Sequence, residues 1–163
     1  MSKTALAATP AEPVTDANTA NNSDPREPAR HQFLAQNLGP DARLEALPAD
    51  ASFRRYFRVL GAAQPYLLMD APPAHEDLPA YMNVAAYLKK QELAAPTVIA
   101  SDTDQGFAII EDFGDQTYTR LLAKGADETA LYGLAIDVLA ALHQRPLPDP
   151  DRQIPAYDHP SLL

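Results

Sequence analysis

Three arginines, Arg54, Arg55 and Arg58, fall within five residues of a chain that is otherwise acidic. A small-residue lead-in, Ala49-Asp50-Ala51-Ser52, runs into them, and Phe53, Tyr56, Phe57, Val59 and Leu60 around them are strand formers. Small residues at a turn can present backbone N–H groups, and guanidinium forks add paired donors. The stretch therefore suits an anion with the geometry of phosphate. The same arginines also suit a solvated strand face, and the pattern alone does not separate these readings.

Other titratable residues have simpler explanations. Asp102 and Asp104 fit a hairpin turn, and Asp149 and Asp151 fit a proline-rich loop. His143 fits the C-terminal end of a helix, where its charge would complement the dipole. His31, His75 and His159 are too scattered for a metal site. Tyr81, Tyr87 and Tyr132 read as packing residues.

The elements that would position the arginines follow from pattern. Residues 1–28 are rich in Ala, Pro, Thr and Asn without a hydrophobic period, and are expected to be a disordered tail. A short helix over 29–38 ends at Gly39-Pro40. Strands are expected at 43–47, 53–60 and 66–69, then a helix over 78–92 capped by Asp77. Strands at 97–100 and 106–111 form a hairpin. The acidic segment Glu111-Asp112-Phe113-Gly114-Asp115 then leads to a small helix over 116–123. A long helix over 128–143 is capped by Asp127 and has an apolar face of Leu131, Leu134, Ala135, Val138, Leu139 and Leu142. This order gives an α+β fold: a five-stranded antiparallel sheet with one helix across it (29–110), a linker (111–115), and the start of a helical second unit (116–163) whose apolar face has little sequence left to cover it.

Bulk properties narrow the function. The 163 residues carry a formal charge of −9, so nucleic acid is not an expected partner. No segment is polybasic or apolar enough for a membrane, and the N-terminus does not read as a secretory signal. There are no cysteines, which excludes disulfides and cysteine-ligated metals. A cytoplasmic, soluble protein is the expectation.

The segments D-A-S-F-R-R-Y-F-R-V, L-M-D-A-P-P and I-I-E-D-F-G-D resemble the aminoglycoside phosphotransferase family, which has a protein-kinase-like fold. Within it they are most similar to the amino-sugar kinases of cell-wall recycling, which phosphorylate the anomeric hydroxyl of N-acetylmuramate or N-acetylglucosamine with ATP. The resemblance runs from about Arg30 to the C-terminus. It implies a kinase-like N-lobe, a hinge at 111–115, and ATP and Mg2+ in the complete enzyme with a sugar as acceptor. It implies that Ser52 and Phe53 face the phosphates with backbone N–H groups, with Arg54 and Arg55 as the nearest cations. The Glu111 carbonyl and the Phe113 N–H would meet the adenine edge, and Asp115 and Tyr118 would lie near the ribose.

Two departures from the family pattern matter. Kinases carry a lysine on the third strand paired with a glutamate on the next helix; here Met69 and Asn83 stand at about those positions. Another cation must then hold the phosphates, and Arg54, Arg55 or Arg58 is expected to do so. The second departure is the catalytic signature H-x-D-x-x-x-x-N. The sole H-x-D is His75-Glu76-Asp77, with Met82 five residues after Asp77, so it reads as a helix cap. No catalytic residue is assigned, and the chain is expected to be an inactive front part of a longer phosphotransferase. A non-catalytic kinase-like binding module and an antibiotic-modifying kinase are the alternatives.

Overall fold

The computed structural model describes residues 24–49 and 51–145. Most of the expected tail, and the proline-rich loop with Asp149 and Asp151, lie outside the described residues. The elements in order are α1 (Glu27–Leu38), β1 (Arg43–Ala46), β2 (Arg55–Leu60), β3 (Tyr66–Asp70), α2 (Leu78–Lys90), β4 (Val98–Asp102), β5 (Phe107–Glu111), α3 (Tyr118–Ala123) and α4 (Glu128–His143). All five strands join one antiparallel sheet in the order β1-β2-β3-β5-β4.

The sheet is covered on both faces, and strand alternation decides what each face meets. On one face Phe57, Val59, Leu68, Phe107 and Ile109 pack with Phe33 and Leu34 of α1. On the other, Met69, Ala108 and Ile110 pack with Leu78 of α2, flanked by Tyr56, Leu67, Tyr81 and Met82. β5 is buried along nearly its whole length, as befits a strand between β3 and β4 that is covered on both faces.

The helix starts obey local chemistry. Asp77 accepts from the Ala80 N–H at the head of α2, Thr117 from Arg120 at α3, and Asp127 from Ala130 at α4. Most boundaries differ from the sequence expectation by one or two residues, and three of these differences have a local cause. α1 begins at Glu27, because Pro28 suits the first helical turn, and Asp24 and Arg26 just before it are tied into ion pairs. β2 begins at Arg55 and excludes Phe53, because the Arg54 N–H bonds to Ser52 Oγ at 3.0 Å and leaves the ladder. β4 runs to Asp102, whose carbonyl accepts the Gly106 N–H across the turn. α3 and α4 bury no residue, and Tyr132, Leu134, Ile136, Val138 and Leu139 of α4 are exposed. Among the described residues no helix is long and apolar enough to cross a membrane.

Candidate functional site

The three arginines do not share a face. Phe57 and Val59 point to α1 and Tyr56 to α2, so alternation sends Arg55 to the α1 side and Arg54 and Arg58 to the α2 side. Four residues apart in extended chain, Arg54 and Arg58 stand about 13 Å apart along the sheet. Each arginine is already matched with a carboxylate. Arg55 pairs with Asp24 beside α1. Arg54 Nε donates to Glu76 Oε2 at 2.6 Å, with its guanidinium 5.8 Å from the Tyr81 ring centre. Arg58 Nε donates to Asp112 at 2.9 Å, and its two terminal nitrogens donate to Asp115 at 3.2 and 2.9 Å.

At the Arg54 end, the β1–β2 connection is fastened to the segment preceding α2. Ser52 Oγ donates to Glu76 Oε1 at 3.1 Å. The Phe53 ring stacks on His75 with centroids 4.2 Å apart and planes 14° from parallel. The Arg54 guanidinium holds the Glu76 carboxyl below its ordinary range against burial, the next-largest effect, with Ser52 and Phe53 adding to it.

At the Arg58 end lies the segment 111–115. The Glu111 side chain accepts from the Thr97 hydroxyl at 2.8 Å and the Thr97 N–H at 3.2 Å, which fixes the end of β5 to the start of β4. Lys89 of α2 donates to the same hydroxyl. Asp112 Oδ1 accepts the Gly114 N–H at 2.7 Å, and Gly114 takes φ +77°, a left-handed value that favours glycine. Phe113 is thereby set outward at 58% exposure, and its N–H has no hydrogen-bond partner among the described residues. Arg58, then Arg120, hold the Asp115 carboxyl below its ordinary range, and Asp115 and Asp112 raise the Arg58 pKa in return. Tyr118 opens α3 with its side chain exposed.

Sequence reading missed two groups of residues. One is Glu76, which in sequence shows only as the neighbour of the capping Asp77. The other group is a buried ion cluster under α1. Asp70, 1% exposed at the end of β3, accepts from Arg26 Nε and Arg30 Nη1, both at 2.8 Å. Arg30 is 4% exposed, donates to Asp24 at 2.7 Å, and lies over the Phe57 ring at 4.5 Å. Burial opposes the Arg30 charge, but hydrogen bonds to Asp24 and Asp70 outweigh it and raise its pKa. The available signal was a charge, Asp70, closing an apolar strand.

Met69 is fully buried against α2. Among the described residues no three acidic or histidine side chains gather as a metal site.

Residues 43–160 match the model of the phosphotransferase enzyme family. The chain belongs to that family. It is 37% identical over 153 residues to an N-acetylmuramate/N-acetylglucosamine kinase of Caulobacter vibrioides, covering 77% of this chain and 42% of that one. It is 39% identical over 133 residues to the kinase of the same name from Pseudomonas aeruginosa, covering 80% of this chain and 38% of that one. The enzyme of that name from Pseudomonas putida is 37% identical over 120 residues, 73% of this chain and 34% of its own. The phosphotransferase chain thus spans well under half the length of these relatives.

Proposed function

We propose that this phosphotransferase chain is the nucleotide-binding portion of an ATP-dependent, cytoplasmic amino-sugar kinase acting on the anomeric hydroxyl of N-acetylmuramate or N-acetylglucosamine. The observation that carries the reading is the α2 face of the sheet, in a chain 37–39% identical to kinases of that name. That face has a donor-rich turn with Arg54 at one end and the outward-set segment 111–115 at the other. In this reading Ser52, Phe53 and Arg54 meet the phosphates, and the unpartnered Phe113 N–H and the Glu111 carbonyl meet the adenine edge. Arg58 holds the adenine-side segment in shape through Asp112 and Asp115, which leaves Asp115 and Tyr118 beside the ribose. Arg55 faces α1 and has no part in it. Binding by these groups would supply positioning and charge complementarity, the main levers of phosphoryl transfer.

The test uses the protein expressed from its complete reading frame, with ATP and either sugar. The expected result is ATP-dependent formation of the sugar 1-phosphate. Arg54→Ala should raise the KM for ATP about tenfold, the worth of one charge-assisted hydrogen bond. Transfer to an aminoglycoside but to neither sugar, or a KM for ATP indifferent to Arg54, would overturn the reading.

A further inference from the structure

Ser52 and Arg54 aim a hydroxyl and a guanidinium at one carboxylate, that of Glu76. Donors of these kinds converging from a turn make the arrangement that holds a phosphate oxygen group. We propose that the Glu76 carboxylate is an internal occupant of an anion subsite built by Ser52 and Arg54, and that a nucleotide phosphate displaces it. The inference rests on the nucleotide reading and deepens it.

The placement of Glu76 makes exchange feasible. α2 is capped by Asp77, whose side chain accepts the Ala80 N–H at 2.8 Å, so Glu76 can release its partners without uncapping the helix. The Glu76 backbone stays anchored through its N–H to the Pro72 carbonyl at 3.0 Å. The Arg54 side chain is 36% exposed and that of Glu76 11%, so water reaches the Arg54 side of the pair and a polyanion can compete for the guanidinium. A subsite filled by its own carboxylate binds phosphate with an affinity reduced by the fraction of time it is filled. Glu76 thus sets a threshold on phosphate binding, and it returns to the subsite when the phosphate leaves.

The experiment is calorimetric titration of the full chain and of its Glu76→Gln and Glu76→Ala variants with inorganic tripolyphosphate, ATP and adenosine. Gln removes the charge while keeping the shape, and Ala removes the side chain. Both should bind tripolyphosphate and ATP roughly fivefold more tightly than the natural chain, the worth of one partly exposed ion pair, with adenosine unchanged. Equal or weaker tripolyphosphate binding in both variants would overturn the proposal. So would adenosine binding with no tripolyphosphate binding in any of the three proteins, which would leave the nucleotide reading standing. Tighter tripolyphosphate binding in the variants with no response to adenosine or ATP would support the subsite and overturn the nucleotide reading instead.

Discussion

Asp70 and Arg30 form a charge pair that is almost wholly out of water, with Arg26 and Asp24 at its margins. Removing one member leaves the other buried without its partner. Asp70→Ala should therefore destabilise the fold by about 3–5 kcal/mol in chemical denaturation, and adding Arg30→Met should recover part of that loss. Asp24 adds a pH dependence. The Arg30 hydrogen bond, with Arg26 and Arg55 adding to it against burial, lowers its pKa from 3.8 to about 2. A depressed folded-state pKa means that the stabilisation is complete above about pH 3.8 and is lost as the pH falls through about 2. Asp24→Asn should be less stable than the natural chain at neutral pH, and the gap should close over that acid window. The arginine run was legible in the sequence because its members are adjacent. Their carboxylates were not, since they lie 22 to 57 residues away and only the folded sheet brings them together.

Local signals located the elements well. Asp77, Asp127 and the apolar period of α4 place helix starts that the structure keeps. The edges of β2 and β4 were less legible, because a side chain and a turn bond compete there with the ladder. Strand alternation was available from sequence, yet it takes α1 and α2 on opposite faces to turn it into a separation of Arg55 from Arg54 and Arg58. The β4–β5 turn has a tight requirement. Gly106 takes φ +74°, and a Cβ there would lie 2.0 Å from the Ala71 carbonyl oxygen. Gly106→Ala should cost about 3 kcal/mol and disturb the contact where the Ala71 N–H meets the Gly106 carbonyl. Arg58→Ala should cost little in global stability. It should raise amide exchange in residues 112–118, which Arg58 ties to β2 through Asp112 and Asp115.

The molecule divides its burial unevenly. β3 and β5 lie between two apolar clusters, whereas α3 and α4 bury no residue. Hydrogen exchange should then show two classes, with β3 and β5 amides opening only on global unfolding and α4 amides opening locally at much lower free energy. A single exchange class across both would contradict this. Family membership was legible in three short segments, and so was the proposed division into a phosphate end and an adenine end; the fold adds that Arg54 and Arg58 share the α2 face while Arg55 lies on the other. That division is the central claim, and a 15N NMR titration of the full chain with ATP tests it most directly. The account predicts saturable shifts at Ser52, Phe53 and Arg54 and at residues 111–115, with Asp24, Arg30 and Leu44 on the α1 side unmoved. Shifts confined to the α1 side, or none at saturating ATP, would contradict it.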